Sequence, residues 1–175
     1  SIARWLASQG VDFHWRTAAT GFDPGVVHTS RGPLSAGATF ITVNYDIDRL
    51  FPELAERDGL LRCRLHMLRA RLPLSFALPA PLFTGWSLPR YAGFGDLPGV
   101  DAVAQRLRAE HPAGVAVDLH QMYTPQPDGS LLIGDTHFRG VAAEPFQSEE
   151  GFELLLDETR KLFGVNEIEV SERWQ

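Results

Sequence analysis

Residues His120–Gly140 read His-Gln-Met-Tyr-Thr-Pro-Gln-Pro-Asp-Gly-Ser-Leu-Leu-Ile-Gly-Asp-Thr-His-Phe-Arg-Gly. Pro127-Asp128-Gly129 is a turn: proline presets φ, and Gly129 accepts a positive φ without strain. The flanking runs, Val115–Tyr123 and Ser130–Phe138, have strand composition and predict a β-hairpin with a longish loop. Alternation then puts Asp118, His120 and Met122 on one face of the first strand, with Val117, Leu119, Gln121 and Tyr123 on the other. On the second strand Leu131, Ile133, Asp135 and His137 share a face. Two readings fit apolar strands that end in His, Asp and Tyr: the wall of a pocket, or a half-solvated hairpin whose polar residues face water.

Upstream of the hairpin, Val100–Glu110 places Val100, Val103, Ala104 and Leu107 at helical spacing, and Pro112 stops the helix. The stretch Pro73–Pro98 is heavy in proline and predicts loop and short edge strand, holding Trp86, Arg90, Tyr91 and Phe94. Leu60–Leu72 alternates as a long strand, with Arg62, Arg64, His66 and Leu68 on one side and Leu61, Cys63, Leu65, Met67 and Arg69 on the other. Its basic face is either solvated or, through His66, open to an anion. Asp48–Arg57 predicts a helix capped by Asp48 and cut into short pieces by Pro52. Ala38–Val43 is a continuous apolar run, expected as a strand buried on both faces. Ser1–Gln9 predicts a helix ended at Gly10; Val11–Trp15, Thr17–Phe22 and Val26–Thr29 predict short strands. Downstream, Ser148 caps a helix to Phe163 with Phe152, Leu155, Leu156 and Thr159 in one stripe, Gly164 ends it, and Glu167–Trp174 is a last strand.

A chain of 175 residues with 44% hydrophobic content suits one ordinary soluble domain with a real core. The net charge of −6 argues against a nucleic-acid surface, which needs clustered positive charge. No apolar run is long enough to span a bilayer, so no membrane partner is expected. The single Cys63 excludes an internal disulfide and fits a reducing, cytoplasmic compartment. No metal motif is present: there is no cysteine pair and no His-Glu-x-x-His. The chain also lacks Gly-x-Ser-x-Gly and Gly-x-Gly-x-x-Gly, so it holds no nucleophile elbow and no phosphate-cradling loop of its own. From the residues alone the chain is an α+β domain with one polar-lined wall.

Four stretches together resemble a known family. Cys63-Arg64-Leu65-His66-Met67-Leu68-Arg69 is similar to a strand that usually reads Cys-Lys-Leu-Gln-Met-Leu-Arg. Thr84-Gly85 through Leu88, with Arg90, Tyr91 and Phe94, resembles the loop that follows it. His120 and Met122, Pro127-Asp128-Gly129, Ile133-Gly134-Asp135-Thr136-His137 and Gly140 resemble its hairpin, and Glu172-Arg173-Trp174-Gln175 its outgoing strand. The family is the bacterial FAD-dependent oxidoreductases of the D-amino-acid-oxidase-like superfamily, related to glycine and sarcosine oxidases; the nearest branch is associated with phosphonate breakdown.

The resemblance implies the substrate-domain part of such an enzyme. Residues 1–47 resemble the tail of the FAD-binding domain. Residues 48–175 resemble the substrate-binding domain: a mixed, mostly antiparallel sheet with helices on one side. It implies FAD as cofactor, with Thr42, Val43, Asn44 and Met67 toward it. It further implies a small-molecule amine or amino acid as substrate, contacted by His66, Arg90, Tyr91, His120 and His137. Arg90 would grip a carboxylate or phosphonate bidentately. Two departures stand out: Thr42-Val43-Asn44-Tyr45 replaces a small-residue turn, and His66 replaces the common Gln. A piece of such an enzyme is expected to self-associate through an exposed apolar face. The alternative is a stand-alone, non-catalytic binding module derived from that domain.

Overall fold

The computed structural model describes residues 1–142 and 144–175. The contacts divide these residues into two compact units, Ser1–Leu60 and Leu61–Gln175. In the first unit, α1 (Ile2–Ser8) is capped by the Ser1 side chain. Strands β1 (Ala19–Asp23), β2 (Val26–Thr29) and β3 (Leu34–Ser35) form a three-stranded antiparallel sheet in that order. Helices α2 (Ile47–Leu50) and α3 (Pro52–Arg57) follow, with Pro52 in the first turn of α3, where its missing N–H costs nothing.

Two expectations fail in this unit. Residues 38–43 form no strand, and Phe40 is 89% exposed. An apolar run becomes a buried strand only where neighbouring strands take its backbone N–H and C=O groups, and within this unit none pairs with it. Residues 11–15 form no strand either; Phe13 and Trp15 instead stack on each other, with ring centroids 5.2 Å apart.

The second unit is built on β4 (Arg62–Arg71), β5 (Leu82–Phe83), β6 (Met122–Pro125), β7 (Leu131–Gly140) and β8 (Glu169–Trp174). They form one five-stranded sheet in the order β5-β6-β7-β4-β8, antiparallel at every pairing. The long strand β4 lies between β7 and β8, as its alternation allows. Between β5 and β6 come α4 (Ala92–Gly95), α5 (Val100–Glu110) and α6 (Pro112–Ala116). Helix α7 (Glu149–Phe163) connects β7 to β8. The architecture is mixed α+β, as expected.

Helix α7 begins and ends where its sequence says it should. The Gly151 N–H donates to Ser148 Oγ, Glu149 and Glu150 occupy the positive first turn, and Gly164 closes the helix at φ 64°. Its stripe of Phe152, Leu155 and Leu156 is buried against Leu68 and Ala70 of β4, Leu131 and Ile133 of β7, and Tyr123 of β6. Burial of each such side chain stabilises the fold by roughly 1.5–3 kcal/mol.

The first hairpin strand is the third failed expectation. Pro112 ends α5 and then serves as the first residue of α6, so residues 112–116 are helical rather than extended. Strand β6 starts only at Met122. Gly114 of α6 lies under the Trp86 ring, where an added Cβ would sit 2.9 Å from Cζ2 and 3.2 Å from Cζ3. Gly114→Ala is therefore expected to lower stability by about 1–2 kcal/mol, overpacking outweighing the gain in helix propensity. A thermal melt checks this; an unchanged or raised Tm refutes it.

Candidate functional site

Two local irregularities build the site. Asp118 sits in the left-handed region at φ 47°, just after α6, so it leaves the alternation expected of a strand. In β7 the pairing with β4 jumps from His66↔Thr136 to Met67↔Gly134, which leaves Asp135 as a bulge. The bulge changes which side chains share a face. Ile133 and Thr136 pair with Leu68 and His66 on the α7 side, whereas His137 pairs with Leu65 on the other. Leu131, Ile133, Asp135 and His137 thus do not line up as strict alternation predicts.

The result is a buried cluster of His120, Asp135 and His137. The His120 N–H donates to the Asp135 carbonyl at 2.7 Å, and the Asp135 N–H to the His120 carbonyl at 2.8 Å, which locks the two residues side by side. His120 Nδ1 lies 3.5 Å from Asp135 Oδ1, and His137 Nε2 lies 3.4 Å from Asp135 Oδ2. His137 Nδ1 donates to the Asp118 carbonyl at 2.8 Å, which leaves Nε2 facing Asp135. Burial pushes the Asp135 carboxyl above the usual carboxylate range, against the opposing pull of His137 and Arg90. His120 Nε2 and Asp135 Oδ1 are both buried, and neither has a hydrogen-bond partner among the described residues. Burial first, then the charges on Arg90 and His137, push the His120 pKa down to about 4, so its ring is neutral at pH 7.

Arg90 and Arg139 both engage Asp118, at 2.6 and 2.7 Å. Burial raises the Asp118 carboxyl, but the hydrogen bonds from Arg139 and Arg90 outweigh it and hold it below the ordinary carboxylate range. Two guanidiniums on one carboxylate leave one net positive charge beside the cluster. The Tyr91 ring meets His120 edge-on at 5.3 Å, and Phe83 lies 6.2 Å from the same ring. The structure thus brings Arg90, Tyr91, His120 and His137 together.

His66 is not among them. It is fully buried on the α7 side of the sheet, between Phe138 and Phe152. The Ser148 N–H donates to its Nε2 at 3.1 Å, so its Nδ1 carries the proton and donates to Thr136 Oγ1 at 2.8 Å. With Nε2 engaged by the N-cap of α7 and Nδ1 by Thr136 of β7, His66 ties that helix to the sheet. Gly151 allows the close approach, since a Cβ there would lie 3.3 Å from His66 Nδ1.

Asp135 and Asp118 are the members that residue-type reasoning noticed without assigning a role. Arg139 carried no signal of its own. His120, Asp135 and His137 converge, yet among the described residues no group of three His, Cys, Asp or Glu is arranged to hold a metal ion.

The chain can be tested for fit to a flavin. Met67 lies on the face of the sheet remote from α7, paired with Gly134, which in turn pairs with Met122. A Cβ on Gly134 would fall 2.8 Å from Met67 Cε, so the Met67 side chain lies across this glycine, beside Leu65 and Met122. These side chains are apolar, the chemistry that a flavin ring would need there. Thr42, Val43 and Asn44 belong to the first unit and are exposed, with Asn44 at φ 53°. Among the described residues there is no strand–glycine loop–helix unit for the adenosine diphosphate half.

No family model matches the sequence, and no curated protein does. Solved structures do. A glycine oxidase from Bacillus cereus ATCC 14579 is similar at a TM-score of 0.63 and 16% identity, over 98% of this chain and 40% of that one. A glycine oxidase from Geobacillus kaustophilus is similar at a TM-score of 0.60 and 18% identity, over 99% of this chain and 39% of that one. The chain thus has the fold of part of a glycine oxidase and spans about 40% of the length of these structures.

Proposed function

We propose that this chain is the substrate-domain part of an FAD-dependent oxidoreductase that oxidises the C–N bond of an amine or amino acid, aminophosphonates included. The observation that carries the reading is the likeness to glycine oxidases across 98% of the chain. In this reading residues 1–47 are the tail of the FAD-binding domain and 48–175 the substrate-binding domain. FAD supplies the two-electron oxidation when bound. Met67 would lie toward its ring. The chain's own side chains receive the substrate. His120 Nε2 accepts a hydrogen bond from the amine, Tyr91 covers it, and Asp135, bonded to His120 through both backbone groups, holds the residue in place. The positive charge left by Arg90 and Arg139 on Asp118 favours a carboxylate or phosphonate on the same substrate.

The test uses the protein expressed together with its flanking coding sequence. Retained flavin absorbance, bleached anaerobically by an amine, is expected. His120→Phe, which keeps a ring and removes the acceptor, is expected to lower kcat/KM by on the order of 10²-fold. Arg90→Ala is expected to raise KM for an anionic substrate far more than for a neutral amine; equal effects overturn the anion role. A second reading is a stand-alone binding module, favoured by bulky Tyr45 in place of a small-residue turn. A protein that retains no flavin with its flanking sequence in place would support that module and overturn the oxidoreductase.

A further inference from the structure

The segment after β5 packs in alternating directions. Trp86 turns inward to Gly114 and is 8% exposed. Phe83, Tyr91 and Phe94 stay 55%, 44% and 39% exposed. With Thr84, Ser87 and Leu88 they line a cavity of about 500 Å³, within the usual range of small-molecule sites. No charged side chain lines it. Ser87 is 4% exposed, and its Oγ is buried with no hydrogen-bond partner. An unpaired buried hydroxyl costs free energy that a ligand atom can recover. Tyr91 and Phe83 are also the two rings beside His120, so the cavity lies next to the His120 ring.

We propose that this cavity is the side-chain pocket of the site and that the substrate is an amine bearing an aromatic or bulky apolar group. The amine end of the proposal rests on the oxidoreductase reading; the pocket does not. A glycine-sized amine would reach His120 and leave the aromatic wall and Ser87 unfilled. A ring placed between Tyr91, Phe83 and Phe94 buries apolar surface on both partners. A polar atom on its rim meets the Ser87 hydroxyl.

Fluorine NMR on the full chain, without flavin, tests this with 4-fluorophenethylamine as probe, ethylamine as competitor and 4-fluorotoluene as control. The expected result is saturable binding of the fluorinated amine at least about 10-fold tighter than ethylamine, as burial of a ring implies. Phe94→Ala, at a half-exposed position that leaves the fold intact, is expected to weaken it severalfold with no change in Tm. Leu88→Trp is expected to fill the cavity and block it. Equal affinity for ethylamine and the fluorinated amine, or indifference to Phe94→Ala, overturns the pocket and leaves the amine reading standing. Binding of 4-fluorotoluene as tight as that of the fluorinated amine supports the pocket and overturns the amine reading.

Discussion

Phe152→Ala is expected to lower the unfolding free energy by about 3–5 kcal/mol, the range for removing a fully buried aromatic ring. Phe152 is 0% exposed and stands where α7 meets the sheet. Its ring meets His66 edge-on at 4.8 Å, and the Arg173 guanidinium from β8 lies 5.2 Å from its centroid. Removing it leaves a cavity bounded by the β4 strand and the start of α7, neither of which can collapse without breaking the His66–Ser148 bond. Phe152→Leu, which keeps most of the volume, is expected to cost far less. A urea titration of the two variants checks this. A loss below about 1 kcal/mol for the alanine variant would mean that α7 is not seated on the sheet through this residue.

Acidification is expected to be the second large effect. Unfolded, His120 takes up a proton near pH 6.5; folded, it does so near 4. Between those values only the unfolded chain is protonated, so stability is lost as the pH falls from about 6.5 to about 4, by about 3 kcal/mol in all. Asp135 acts in the opposite sense. Its carboxyl is raised in the folded chain, so above the unfolded value of 3.8 the unfolded state releases a proton that the folded state keeps. Its contribution is fully present below 3.8 and is lost as the pH rises through the folded value. The two are separated by substitution. His120→Phe is expected to flatten the acid limb of the stability profile, and Asp135→Asn the limb on the other side. Urea midpoints across the pH range read both. An unchanged acid limb in His120→Phe would show that the ring is solvated in the folded chain.

Legibility differed sharply between elements. Helix α7 could be read almost to the residue because its stripe, its Ser148 cap and its Gly164 stop all agree. Val100–Glu110 was equally clear. The Ala38–Val43 run was misread because apolar content alone implies burial, while burial needs partners that the run does not have within its unit. The site was half legible. His120, His137, Arg90 and Tyr91 were singled out by type and by resemblance, and they do meet. His66 joined them by resemblance, in place of the family's common Gln, but its strand position faces α7.

The sequence by itself determined the elements whose signals are local: the caps of α7, the alternation of β4 and the Pro127-Asp128-Gly129 turn. Periodicity and turn chemistry act within a few residues, so a linear reading captures them. Only the tertiary structure decided which polar groups face one another. The left-handed Asp118 and the bulge at Asp135 each shift side chains by one position, and a one-residue shift in a strand moves a side chain to the opposite face. Pairing across β7 and β4 therefore separated His66 from His137, and placed Asp135 between two histidines that are far from equivalent in sequence spacing. That pairing leaves His120 Nε2 buried with no hydrogen-bond partner among the described residues.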